Sequence, residues 1–547
     1  MPPTSFLHES VQYFLPRSAI AANVNPDPVK PVPRRAQRAV CLRERGMVQE
    51  TAAVIRSSDK EHQDAQRAPA QLASRAPLRR LSRPVTRSLV WALVALLTTR
   101  HTTLKADMRV SVAAGLTAMV AVPQAVLAEQ YTVWASVIFA RTGDRTPQVL
   151  GFSPTTLTSL GAQQQYHSGA FFRERYIDST TNANVLNSAP LSGLSADWLD
   201  SMQVYIQSLD VQYTVASAQA FLQGLYPPFT LNTSATTLPD SSILANRTYV
   251  DYPLQGYQYA QIHAPGALDA DYPYIAGNLN CPAFNDAAFA YENSAAFNAT
   301  QTESSQTYEF VGPPLLSSVL NSDAWDYVNA YAIYDYINYQ YAHNATAKQI
   351  LDQPGFRDQT DNTSFLTQLR FYADQQQWAE LGNLTVENTY STGKNDPLPA
   401  NATGSISTIA GNMLAAKMLA QLQIAVSTAG EYYKLSLIFG DYDPLVSLFA
   451  LTGLPNIDSN FYGLPAFGSV ASFELFSYTN GSNPTFPSAS ELWVRFYFRN
   501  GTEGDDVVGN NYQSYPIFNR GPSQTDMTWD DFQAYMNGIM VGDIGDW

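Results

Sequence analysis

Cysteine is nearly absent. Of the 547 residues two are Cys, and Cys41 lies in an N-terminal stretch of different character, so Cys281 stands alone in the body of the chain. That excludes an intramolecular disulfide framework and any thiolate metal site; a lone Cys is either buried and inert or pairs between chains. Histidine is also scarce: of six, His167, His263 and His343 lie beyond residue 128. No His/Cys/Asp/Glu cluster has metal-ligand spacing, and there is no phosphate-binding G-x-x-x-x-G-K-[ST] loop and no G-x-S-x-G elbow. The expectation is therefore no metal and no cofactor. Long hydrophobic runs are missing as well. Leu89 to Leu97 is about half of the roughly 20 residues needed to cross a bilayer, so no membrane span is expected in the mature chain. No internal repeat is visible.

Charge makes up 14% of the residues, and it is unevenly placed. Residues 1–128 carry 18 of the 32 Lys and Arg but 8 of the 47 Asp and Glu, a net of +10 that leaves −25 on residues 129–547. An acidic body repels polyanions at long range, which argues against a nucleic-acid partner. Residues 1–107 are rich in Arg, Pro, Ala and Ser without sustained periodicity, and read as disorder or as sequence outside the working protein. From Met108 the pattern changes: Arg109, an apolar stretch from Val110 to Val122, and the small-residue end Val126-Leu127-Ala128. That is the layout of a secretory signal peptide over 108–128, with translation starting at Met108 and cleavage after Ala128. Nine N-x-[ST] sequons, Asn232, Asn246, Asn298, Asn344, Asn362, Asn383, Asn401, Asn480 and Asn500, all lie beyond that site. Together they predict an extracellular, N-glycosylated protein, in the medium or the cell wall.

What is plentiful is aromatic and aliphatic surface, with 32 Tyr and 26 Phe among 45% hydrophobic residues, enough for a large core. YTVWASVIFA (131–140) is apolar on both faces, as in a strand inside a helix-covered sheet. A helix over 157–177, a strand over 200–210 and a helix over 214–228, stopped by two prolines, follow. Residues 231–404 hold seven of the nine sequons and one long helix over 324–344, whose Tyr, Val and Ile recur at helical spacing as a core stripe. After it come a helix over 406–428, strands over 432–440 and 491–501, and a closing helix over 528–540. The alternation predicts an α/β fold: a helix-flanked central sheet built from 129–230 and 405–547, with 231–404 as an inserted, mostly helical cap.

The first strand runs into RTGDRTP (141–147), which resembles the histidine acid phosphatase signature R-H-G-x-R-x-P. LTSLGAQQQYHSGAFFRERY (157–176), YTVASAQAFLQGLYPP (213–228), KLSLIFGDYDPLVSLFALTGL (434–454) and WVRFYFRNG (493–501) are similar to further family elements in the same order. The resemblance covers roughly 131–547 and points to the fungal-type secreted acid phosphatase and phytase-like branch. It implies a nucleophilic histidine that becomes phosphohistidine, arginines and a second histidine on the phosphate oxygens, and an Asp that protonates the leaving group. Guanidinium forks suit a phosphoryl group, and the covalent route needs an unprotonated imidazole.

This sequence departs from the pattern where chemistry is concentrated. Thr142 stands at the nucleophile position. Tyr213 replaces an arginine of R-T-x-x-S-A. The second histidine falls on Gly440 when aligned from the preceding strand, leaving Asp441 as a proton donor, or on Asp441 when aligned from the following helix, leaving Tyr442 as donor. Arg141 and Arg145 are retained as candidates for a small phosphorylated or anionic ligand, their structural alternative being salt bridges to Asp144 or other acids. The reading is a secreted glycoprotein of this family with impaired catalysis, a pseudoenzyme; the alternative is an active phosphomonoester hydrolase with a non-standard site.

Overall fold

The computed structural model describes residues 131–151, 154–178, 189–229, 242–358, 360, 362–385, 404–478, 485–501, 512–545 and 547. The basic region, the signal peptide, Cys41, Asn232, Asn401 and Asn480 lie outside the described residues.

The sheet is mixed. Strands β1 (Tyr131–Arg141), β2 (Val204–Ser208), β3 (Leu435–Gly440), β4 (Val470–Tyr478), β5 (Trp493–Arg499) and β6 (Tyr512–Tyr515) take the order β2-β3-β1-β4-β5-β6, and β7 (Asp526–Thr528) pairs with β5. The β2-β3-β1 half is parallel; β1 pairs antiparallel with β4, as does β4 with β5. Both faces of β1 are covered: Val133, Ile138 and Ala140 enter one core, and Trp134, Val137 and Phe139 the other. The first core is closed by helices α1 (Ser159–Tyr176) and α2 (Gln212–Leu225), through Phe171, Phe172 and Phe221. Helices between β2 and β3, and beyond, follow.

α3 (Pro282–Glu292), α4 (Ala295–Leu315), α5 (Ala330–His343), α6 (Ala345–Leu351) and α7 (Phe365–Leu381) lie in the middle of the chain, whose described residues add no strand to the sheet. α4 to α7 pack around a core of their own that includes Phe297, Tyr308, Val311, Ile333, Ile337 and Leu369, so the tyrosine-rich stripe is buried as its spacing predicts. The second face of the sheet is covered by α8 (Ile409–Ser427), α9 (Asp443–Thr452) and α10 (Trp529–Ile539), through Leu414, Met418, Leu445, Leu448, Phe532 and Met536. Ile406–Ser427 is long and apolar enough to cross a membrane by composition, but most of it is buried in this core. Cys281 is buried and unpaired.

The mixed α/β architecture with a helix-flanked central sheet is as the sequence pattern predicts. It also sets where chemistry can occur: parallel neighbours β1 and β3 end side by side, Arg141 opposite Gly440, and their following residues enter the crevice at the strands' carboxyl ends.

Candidate functional site

The loop after β1 is held against α1 by a close backbone approach. A Cβ on Gly143 would meet Gly161 O at 2.3 Å, and one on Gly161 would meet Asp144 O at 2.0 Å, so both positions demand glycine. Thr158, the N-cap of α1, accepts from Gly161 N and donates to Asp144 O. This fixes Arg141, Thr142 and Arg145 at the sheet edge.

Thr142 is fully buried beside the first turns of α2. Its hydroxyl lies 3.0 Å from Ser217 Oγ, which itself donates to Tyr213 O at 2.7 Å. Ser217 is thus the acceptor and Thr142 the donor, and the nearest other groups are the Gly143 and Tyr213 carbonyls at 3.1 and 3.4 Å. No imidazole or carboxylate bonds to Thr142 among the described residues. A hydroxyl that only donates, with no base to take its proton, is a poor nucleophile.

Both arginines face carboxylates. Arg145 donates through NH1 to Asp335 Oδ1 and Oδ2 at 3.1 and 3.0 Å, and through NH2 to the Tyr331 hydroxyl at 3.0 Å; its NH2 is also 3.8 Å from Asp441 Oδ2. Arg141 donates to Pro465 O, and its Nε, which has no hydrogen-bond partner, is 3.7 Å from Asp441 Oδ1. Its guanidinium is sandwiched near the rings of Phe467 and Tyr442, at 4.4 and 5.1 Å. Asp441 also accepts from Gln148 Nε2 at 2.6 Å and from the Tyr213 hydroxyl at 3.4 Å. Burial, with Asp441 close by, holds the Tyr213 hydroxyl far above its usual range, so it stays protonated. A cavity of about 210 Å³ reaches this cluster, lined by Arg141, Gln164, Asp335, Arg370 and Phe467 among others.

The sequence of residues 126–499 matches the profile of the histidine phosphatase superfamily (branch 2). The chain belongs to that superfamily. No curated protein matches significantly. Among solved structures, the Citrobacter braakii phytase is 12% identical with a TM-score of 0.45, covering 76% of this chain and 99% of that one. A Klebsiella phytase is 13% identical with a TM-score of 0.45, covering 76% and 94%. The Bifidobacterium longum multiple inositol polyphosphate phosphatase, in complex with inositol hexasulfate, is 14% identical with a TM-score of 0.38, also covering 76% and 94%.

In this histidine phosphatase superfamily member Arg141, Thr142, Arg145, Tyr213 and Asp441 lie together, and one expectation is corrected. Gly440 does not face the cluster: a Cβ there would point at the Phe139 ring, 2.7 Å from its tip, because neighbouring strand residues project to opposite faces. The pocket-facing residue is Asp441. Of the acids offered as salt-bridge partners, Asp335 and Asp441 meet the arginines, while the Asp144 carboxylate is 2.7 Å from His343 Nε2 and accepts from Thr158. His343 is exposed but not idle. His167 and His263 make ring contacts with Tyr166 and Tyr205, away from Thr142. The sequenced-based reading missed Asp335, Gln148 and Tyr331. A single Asp inside the tyrosine stripe AIYDYI was the available signal, since a carboxylate on a buried face needs a cation.

Acids accumulate behind the cluster. Asp443 is raised by burial and by Asp441, while Asn278 donates to it at 2.9 Å. Glu380 is pushed up to about 7 by burial and by Glu292. A carboxyl with a raised folded pKa binds its proton more tightly when folded. The stability it contributes is complete below the usual value of 4.5 and lost as pH rises to about 7. Thermal unfolding followed across that window should therefore show stability falling by about 2–3 kcal/mol from Glu380, with Asp443 acting in the same direction. Glu380→Gln should flatten the profile; an unchanged slope would rule Glu380 out as its source.

Proposed function

We propose that the chain is a secreted, N-glycosylated histidine acid phosphatase homologue of the fungal-type branch whose degenerate pocket no longer performs phosphoryl transfer. One observation carries the reading: each arginine available to a phosphate already faces a carboxylate, Arg145 facing Asp335 and Arg141 facing Asp441. Asp335 occupies the donor fork of Arg145 and Asp441 lies beside the Arg141 guanidinium, so a dianion entering between them would meet repulsion from both. The Thr142 hydroxyl, donating to Ser217, offers no substitute for an imidazole. Within the family scheme Asp441 takes the second-histidine position and Tyr442 the donor position. The Tyr442 hydroxyl donates instead to Gln377 at 2.7 Å, away from a leaving group.

Inorganic phosphate titrated into the protein calorimetrically should give binding weaker than about 1 mM. Saturable binding at micromolar phosphate would sink the reading. A weaker anion site is supported by Arg141 alone, whose Nε makes no hydrogen bond and whose side chain lines the 210 Å³ cavity; it would take a monoanion rather than a phosphate ester.

Secretion rests on the 108–128 segment and the sequons. Of the six described sequon asparagines, Asn246, Asn298, Asn344, Asn362 and Asn500 are exposed and Asn383 is half-buried, all compatible with glycan attachment. N-terminal sequencing of secreted material should begin at or near Glu129, and deglycosylation should increase its mobility on a gel. Retention of residues 1–107 would refute the processing.

A further inference from the structure

A second cavity, of about 540 Å³, adjoins the one that reaches Arg141 and shares Arg370 and Asn500 with it. Phe371 and Trp378 from α7 and Tyr462 from the turn Ser459–Tyr462 line it. Trp378 and Tyr462 meet edge to face, centroids 4.6 Å apart at 74°, forming a corner of two rings. Phe371 and Tyr462 are 58% and 45% exposed, so aromatic faces are held open to water rather than buried in the adjoining core. Grouped exposed apolar surface of this kind marks a binding surface.

The polar complement is uncharged in sum. Arg370 lies 3.5 Å from Asp374, which also accepts from Leu464 N at 2.8 Å, and the other polar side chains are Gln375, Asn460, Ser459 and Asn500. Trp378 is partly buried against the adjoining core and presents its ring, with that of Tyr462, to the cavity wall. Flat apolar walls, neutral amides and no net charge fit a ring with an apolar C–H face and hydroxyls around its edge. A polyanion would find no surplus cation here, and a purely apolar ligand would leave the amides without partners.

We propose that this cavity binds a neutral saccharide stacked against Trp378 and Tyr462. At about 540 Å³ it falls within the usual range for small-ligand sites of roughly 300–1,000 Å³. The proposal stands independently of whether the Arg141 pocket has lost catalysis. The saccharide has two sources: a free oligosaccharide, or the protein's own N-glycan at Asn500. Asn500 Oδ1 accepts from Ala466 N at 2.8 Å and Ser469 Oγ at 3.0 Å, which fixes the amide and leaves Nδ2, the atom a glycan would join, without a bond at the rim.

The test is a fluorescence titration of the secreted protein and of Asn500→Gln with mannopentaose, chitotetraose and laminaritetraose, repeated by ligand-observed NMR. Asn500→Gln should bind at least one of them saturably. Phe371→Ala combined with Tyr462→Ala should weaken that binding by about tenfold or more while the far-UV circular dichroism stays that of the parent, since both rings lie at the surface. Trp378→Phe should remove the fluorescence change. Binding by both proteins identifies a free saccharide as the ligand; binding by Asn500→Gln alone identifies the Asn500 glycan as the occupant. Failure of Asn500→Gln to bind any of the three sugars, or binding that survives the loss of both exposed rings, overturns the proposal.

Discussion

Purified protein should hydrolyse an aryl phosphate at or near background from about pH 3 to pH 7, and Thr142→His should leave it there. The imidazole would enter a fully buried position beside Ser217, where Arg145 is engaged by Asp335 and Asp441 repels the substrate. Tyr213 would still stand where the family pattern has an arginine. Groups that stabilise one transition state act as a unit, and the loss of any of them forfeits most of about four to six orders of magnitude in rate. The informative variant is Thr142→His with Tyr213→Arg and Asp441→His, which supplies a nucleophile, adds a cation and removes a carboxylate. It should hydrolyse the aryl phosphate measurably above the parent. Gly440→His in place of Asp441→His should not, because its side chain would collide with Phe139. Robust hydrolysis by the unmodified protein, abolished by Thr142→Ala, would refute the pseudoenzyme reading and promote Thr142 to nucleophile.

The contrast between Gly440 and Asp441 shows where sequence reasoning stopped. The RTGDRTP motif singled out Arg141, Thr142 and Arg145, the YTVASA element singled out Tyr213, and the apolar character of 131–140 gave the strand that leads into the first three. A one-residue offset at Gly440–Asp441 was undecidable in one dimension; in three, strand alternation decides it, since one of the two must face Phe139. Asp335 was hidden for a different reason. It lies 190 residues from Arg145 in sequence, on α5, and pattern within one helix cannot reveal a partner on another element. The strand β4 was missed outright. VASFELFSY carries an acid at its centre, and a buried Glu argues against a strand covered on both faces unless a cation meets it. α4 ends on Pro313-Pro314, which have no N–H to donate to the Glu309 and Phe310 carbonyls, and the helix stops at Leu315.

The cation that makes β4 possible is Arg175, and replacing it should be among the most destabilising changes available in this chain. Arg175 Nε and NH2 donate to Glu474 Oε1 and Oε2 at 2.6 and 2.9 Å, a bidentate pair with both side chains almost wholly out of water. The Tyr176 hydroxyl donates to the same carboxylate, and the guanidinium sits over the rings of Tyr497 and Tyr512 at 4.8 and 5.0 Å. α1 is thereby locked to the centre of the sheet. Arg175→Met strands Glu474 as an unpaired buried anion, at a cost of about 3–5 kcal/mol, and should lower the melting temperature by roughly 3–6 °C. The attraction itself is not what the fold depends on, because desolvating two charges offsets most of it. Arg175→Met with Glu474→Leu removes both charges at similar volume and should recover most of the loss. A double variant as unstable as Arg175→Met alone would show that the pair contributes directly, through its geometry and the Tyr176 hydroxyl, rather than by cancelling a buried charge.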